Sequence, residues 1–153
     1  MGGNGSYVAY LAGTLTTYSG KRYNQLGEID GVKVLMVDGY PLDSTPMNSF
    51  TSSMYYIADV HDPSRISTIA FYDDSHTLVK TIDIEYMPDG QSIKPYKAKD
   101  GKKKGSGTHV HTWPGNSKGG AGRKSGHAVT HYEPSAEDWV YINKALKYSI
   151  SKK

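Results

Sequence analysis

The residue types best suited to chemistry in this chain are its histidines. Four of the six lie close together, at His109, His111, His127 and His131. On a strand, residues two apart share a face, so His109, His111 and Trp113 point one way and Val110 the other. If the apolar Val110 turns to a core, both imidazoles are left on the open face. His127 and His131 are four apart and share a face in either a helix or a strand. Arg123 and Lys124 lie between the pairs in a glycine-rich stretch, where backbone can approach a polyanion closely.

Two chemistries want this pattern. Cleavage of RNA at phosphate needs a base for the 2′-hydroxyl, an acid for the leaving oxygen and cations for the phosphorane. Imidazole suits the first two roles because it titrates near neutrality. Arg123 and Lys124, with Lys102, Lys103 and Lys104, suit the third. Metal-assisted hydrolysis instead needs about three ligands and an open position for water. His109 and His111 would supply two, with His131 or His127 a third. The helical zinc-protease pattern His-Glu-x-x-His is missing, because Ala128-Val129-Thr130 separates His127 from His131.

The plainer reading applies to the other candidates. His61 and His76 read as surface residues, His76 within a turn. Asp83 and Glu85 share a strand face and read as the solvent side of a hairpin, with orientation of an imidazole as the alternative. The 13 tyrosines read as packing residues rather than base-stacking platforms.

Charge is unevenly spread. Residues 1–93 hold 5 Lys/Arg against 11 Asp/Glu, whereas residues 94–124 hold 9 Lys/Arg against Asp100 alone. A basic block of this kind reads as a phosphate-backbone footprint, or as a solvated loop around Lys102–Lys104. Leu, Ile, Val and Phe number 27 of 153, a low apolar content that the aromatic residues must supplement if the chain is to fold. The length suits one domain. With no cysteine there is no disulfide, thiolate nucleophile or thiolate metal site, and no stretch reaches the length of a membrane helix.

The elements that must position these groups follow from periodicity. Residues 1–6 are glycine-rich and expected to be disordered, and 7–153 form one domain. Residues 7–15 are apolar but ambiguous between helix and strand, Gly20–Gly31 is polar, and 40–52 reads as a loop or short helix. Val32–Val37 is a β-branched run closed by Asp38-Gly39. Ile66–Tyr72 and Leu78–Tyr86 flank Asp73-Asp74-Ser75-His76 as a β-hairpin, with Met54–Val60 a neighbouring strand. Residues 87–107 and 114–126 are basic or glycine-rich loops, and Thr108–Trp113 is a short strand. After Pro134, Ser135-Ala136-Glu137-Asp138 opens a helix with Trp139, Ile142, Leu146 and Ile150 as one stripe. The expected fold is α+β: an antiparallel sheet of about four or five strands covered by a C-terminal helix.

The runs FYDDSHTLVKTIDIEY, THVHTW and GRKSGH resemble small proteins of phages and mobile elements of Gram-positive bacteria, and C-terminal modules of phage head-associated and polymorphic-toxin proteins. The likeness covers roughly residues 40–132. It departs at Thr108, where those proteins carry proline, at Ile84-Glu85, which separate Asp83 from Tyr86, and in the lysine-rich loop. Such modules resemble metal-independent ribonucleases of the barnase, colicin and RelE type. The resemblance therefore implies a toxin-type ribonuclease without a cofactor, acting in the cytoplasm of a bacterial host or delivered within a larger effector. His109 and His111 would be acid and base, His127 or His131 would assist, and RNA would be the partner, with a protein inhibitor or host protein as a further one. The alternatives are a non-enzymatic binding or structural protein and a metal-dependent hydrolase built on the same histidines.

Overall fold

A computed structural model describes residues 9–11, 14–16, 22–38, 45–46, 49, 53–99, 105–112 and 131–152. The expected disorder of residues 1–6 falls outside these. The strands are β1 (Ala9–Leu11), β2 (Thr14–Thr16), β3 (Arg22–Ile29), β4 (Val32–Asp38), β5 (Met54–Ala58), β6 (Ile66–Tyr72), β7 (Leu78–Asp83), β8 (Lys97–Ala98), β9 (Gly105–Ser106) and β10 (His109–Thr112). One helix, α1 (Ala136–Ser151), follows. The main sheet runs β1-β2-β3-β4-β5-β6-β7-β10, and β8 pairs separately with β9. All described pairs are antiparallel except β4 with β5.

The α+β class and the helix on the sheet are as expected; the sheet is larger. Its additional strands come from the N-terminal third. Arg22–Ile29 is too polar to announce itself, with only Tyr23, Leu26 and Ile29 as large apolar residues. It becomes a strand by pairing along its length with β4 around the Asp30-Gly31 turn, where both residues have positive φ.

Register divides the two faces. On the helix side Val34, Tyr56, Ile69, Ile82 and Val110 stand opposite one another in one row across five strands. All five are buried, and Ile142 and Ala145 of α1 pack with them. Complete burial of a residue such as Ile142 contributes about 1.5–3 kcal/mol. The corresponding row on the opposite face reads Leu35, Ile57, Thr68, Asp83, His109. It begins apolar and ends in ionisable groups. The apolar part joins a core of Tyr23, Tyr55, Ala70, Tyr72 and Leu78, with the Tyr72 hydroxyl donating to the Pro46 carbonyl at 2.6 Å.

The helix starts where its cap dictates. Ser135 Oγ accepts from the Asp138 N–H at 3.1 Å, and the Asp138 carboxylate accepts from the Ser135 N–H at 2.9 Å. Lys80 Nζ donates to the same carboxylate at 2.6 Å and so ties β7 to the cap. The buried positions are Asp138, Ile142, Ala145 and Ser149, so the expected stripe is rotated and Ile150 lies exposed. The cause is polar: Ser149 Oγ accepts from the Ile66 N–H at 3.1 Å and donates to the Ala145 carbonyl at 2.9 Å. Tyr86 completes this knot by donating to the Ile66 carbonyl at 2.7 Å. Among the described residues no helix is long and apolar enough to cross a membrane.

Candidate functional site

Strand β10 places the first two histidines. Val110 turns into the helix-side core, 4 % exposed, so His109 and His111 stand on the other face. The third histidine arrives by a separate route. Val110 and Tyr132 exchange both backbone hydrogen bonds, at 2.9 and 3.0 Å, along the side of β10 away from β7. With Tyr132 opposite Val110, the pleat puts His131 on the face of His109 and His111. The chain thus leaves the site at Thr112 and returns to it at His131.

The three rings touch. His109 and His131 stack with centroids 3.9 Å apart and planes only 7° from parallel. His111 stands edge-on to both, at 4.7 Å from His109 and 5.0 Å from His131. The Nε2 atoms of His109 and His111 lie 3.1 Å apart. One nitrogen atom from each of the three rings falls within 4.8 Å of the others.

Asp83 closes the group. Strand register sets it directly opposite His109, and its Oδ2 lies 3.4 Å from His109 Nε2 and 3.3 Å from His111 Nε2. Burial pushes the Asp83 carboxyl up, but hydrogen bonds to His109 and His111, with their charge, outweigh it and hold it well below the usual carboxylate range. Burial likewise disfavours the His109 cation. The Asp83 carboxylate, the Gly107 carbonyl and the charge of Glu85 overcome that and raise His109 above the ordinary imidazole range. Asp83 therefore faces the imidazoles while its side chain keeps 37 % exposure, so the alternative of its two sequence readings, orientation of an imidazole, is the one the geometry supports.

Backbone atoms of the turn into β10 orient two of the rings. His109 Nδ1 donates to the Gly107 carbonyl at 2.8 Å, so in the neutral ring the lone pair is on Nε2, the atom that faces the cluster. His131 Nδ1 accepts from the Gly105 N–H at 3.2 Å, and the Tyr96 hydroxyl donates to the His131 carbonyl at 3.4 Å. Glu85 is occupied in holding this turn: its Oε1 accepts from the Gly107 N–H at 3.0 Å and its Oε2 pairs with Lys94 at 3.4 Å. Gly107 has φ +87, and a Cβ there would stand 2.0 Å from the Pro95 carbonyl oxygen. A side chain at that position is incompatible with the turn.

His109, His111 and His131 are brought together by the structure. Trp113, Arg123, Lys124, His127 and Lys102–Lys104 lie outside the described residues. His61 and His76 are remote in sequence from the cluster, His76 holding positive φ in the β6–β7 turn. Asp83 is the residue whose part in the site the sequence showed least. The signal available was its position two residues before Glu85 on a strand, with no way to know which strand would face it.

No family model matches the chain, and no curated protein or solved structure does so either.

Proposed function

We propose that this chain is a hydrolytic enzyme that cleaves phosphodiester bonds in RNA, with its reaction centre at Asp83, His109, His111 and His131. The observation that supports this most is the convergence of three imidazoles and a carboxylate where the sheet face changes from apolar to polar. A structural role is a poor account of it. Desolvating several ionisable groups is costly, and apolar residues of similar volume would hold these strands at least as well.

Charge supports the substrate class. The lysines of residues 94–104 and Arg123 and Lys124 flank, in sequence, the segments that carry the histidines. Cations so distributed suit a polyanion by counterion release and by neutralising charge as it develops on phosphate. RNA as the polymer, and a toxin-type role on a phage or mobile element, are carried by the sequence resemblance.

The spacing bears on how the imidazoles would act. An acid and a base that work on opposite sides of a phosphate must leave room for the nucleophile, the phosphorus and the leaving oxygen between them. Two ring nitrogens 3.1 Å apart leave no such room. They suit joint action on one atom placed beside both, and His131, stacked on the His109 ring, is the third imidazole of the cluster for a second proton transfer. This departs from opposed acid and base roles for His109 and His111.

The test is incubation of the purified protein with single-stranded RNA, beside the His111→Ala variant checked for folding by circular dichroism. Cleavage by the wild type and its loss in a folded variant is the expected result. Equal cleavage by both overturns the assignment of the reaction to this centre, and intact RNA in every lane overturns the nuclease reading and favours the binding-protein class.

A further inference from the structure

Three donor atoms of the cluster form a nearly equilateral triangle. Its sides are 3.1 Å between His109 Nε2 and His111 Nε2, 3.4 Å from His109 Nε2 to Asp83 Oδ2, and 3.3 Å from His111 Nε2 to Asp83 Oδ2. In a tetrahedral zinc site with ligands at about 2.0–2.1 Å, neighbouring donors are about 3.3 Å apart. The match holds on all three edges. From this we infer that His109, His111 and Asp83 form a three-ligand site for a divalent transition ion of the zinc class. The inference rests on the reading above only in naming the single atom on which the imidazoles act.

Ring orientation selects the ligand set. An imidazole nitrogen directs its lone pair in the plane of the ring, so an ion bound to two rings must lie in both planes. The planes of His109 and His111 cross at 88° and so share a line on which one ion can meet both conditions. Those of His109 and His131 are stacked within 7° of parallel and share no such point. His131 is therefore not a partner ligand of His109. Its Nδ1 lone pair is also taken by the Gly105 N–H, so a neutral His131 carries its proton on Nε2 and acts as a hydrogen-bond donor. The ligand set read from the sequence, His109 and His111 with His131 or His127 as the third, changes by one member, with Asp83 in the third place.

The surroundings are those of a prepared site. The Gly107 carbonyl fixes the His109 tautomer, and strand register sets Asp83 directly opposite His109. Two imidazoles and one carboxylate favour zinc or its neighbours over magnesium and calcium, which prefer all-oxygen shells. Three protein ligands leave the fourth tetrahedral position for water or a substrate oxygen, as in hydrolytic centres.

The experiment is a Zn(II) titration of the chelator-treated full chain against a chromophoric competitor, with no RNA present. One Zn(II) per chain is expected. Affinity should fall at least 100-fold in Asp83→Ala and in His111→Ala, and by less than 10-fold in His131→Gln. Failure of the wild type to bind a stoichiometric ion overturns the site. So does unchanged affinity in Asp83→Ala or His111→Ala, while a loss in His131→Gln equal to that in His111→Ala overturns the ligand set. Should a variant fail to fold, Co(II) added to the wild type decides. Intense visible bands of a four-coordinate ion support the site, and the weak bands of a six-coordinate, hydrated ion overturn it. Zinc bound as expected with RNA left intact removes the nuclease reading and keeps the metal site. RNA cleaved by a protein that binds no zinc does the reverse.

Discussion

Asp83 and His109 face each other across the β7–β10 ladder, and the carboxylate reaches both His109 and His111 from that one register position. A shift of one residue would turn the aspartate to the helix side and leave the imidazoles without an anion. Site assembly is thus a property of strand register. Asp83→Asn keeps the shape and removes the charge, so RNA cleavage should fall about 100-fold or more, mainly in kcat. Single-turnover cleavage at saturating protein would show this, and a change confined to KM would mean that Asp83 only helps to bind.

Gly107 and Gly31 both have positive φ, yet their replacement should differ sharply. At Gly31 an added Cβ meets nothing within 4 Å, and alanine should cost about 1–2 kcal/mol for its backbone conformation. At Gly107 the Cβ would collide with the Pro95 backbone, so alanine must displace the turn that holds His109. Gly107→Ala should abolish cleavage, whereas Gly31→Ala should leave it intact. Urea unfolding of both variants beside the RNA assay separates the effects.

Ser149 offers a test of the helix–sheet contact remote from the chemistry. Alanine there removes the acceptor of the buried Ile66 N–H and a partner of the Tyr86 hydroxyl. The expected loss is about 1–3 kcal/mol of stability, read as a lower denaturation midpoint. Cleavage measured well below that midpoint should be unchanged.

The Asp138 cap sets an acid limit. Burial pushes this carboxyl up, but Lys80 and the Ser135 backbone and hydroxyl outweigh it, so its folded pKa lies below the ordinary value. A carboxylate with a depressed folded pKa adds stability that is fully present above its unfolded pKa of about 3.9 and is lost as pH falls through the folded value. Asp138→Asn should therefore be less stable than wild type by about 1–2 kcal/mol near neutrality. The gap should narrow below about pH 4. Chemical denaturation of both proteins across this range is the measurement; a gap independent of pH would assign the effect to packing.

The lysine run can be tested by salt. Replacing Lys102, Lys103 and Lys104 with glutamine should weaken single-stranded RNA binding and lower the log K against log salt slope by about 2. Zinc affinity should not change. Equal salt slopes in wild type and variant would show that the three lysines do not contact phosphate.

How far the sequence reaches is clear from particular residues. The hairpin around Asp73–His76, the Ser135 capping box and the placing of His109 and His111 opposite Val110 all depend on neighbours in sequence, and short-range patterns reveal them. The pairing of Asp83 with His109 and of Val110 with Tyr132 joins segments separated by long basic stretches. Nothing local specifies which residue meets which, so Asp83 read as a surface acid and His131 as a loosely placed neighbour. Strand β3 was hidden for a related reason: its polar residues become a strand only beside β4. Leu146 and Ile150 misled because Ser149 hydrogen-bonds to β6 and turns the helix by that requirement.

The short bridge between Val110 and Tyr132 also bears on self-association. Strand β10 ends the order of the main sheet, and a terminal strand offers its unpaired backbone groups to any passing chain. Here the segment that brings His131 to the cluster satisfies part of that margin. The protein cannot expose this edge without releasing His131 from its place beside His109 and His111. The placing of His131 and the cover of this part of the edge are therefore won and lost together.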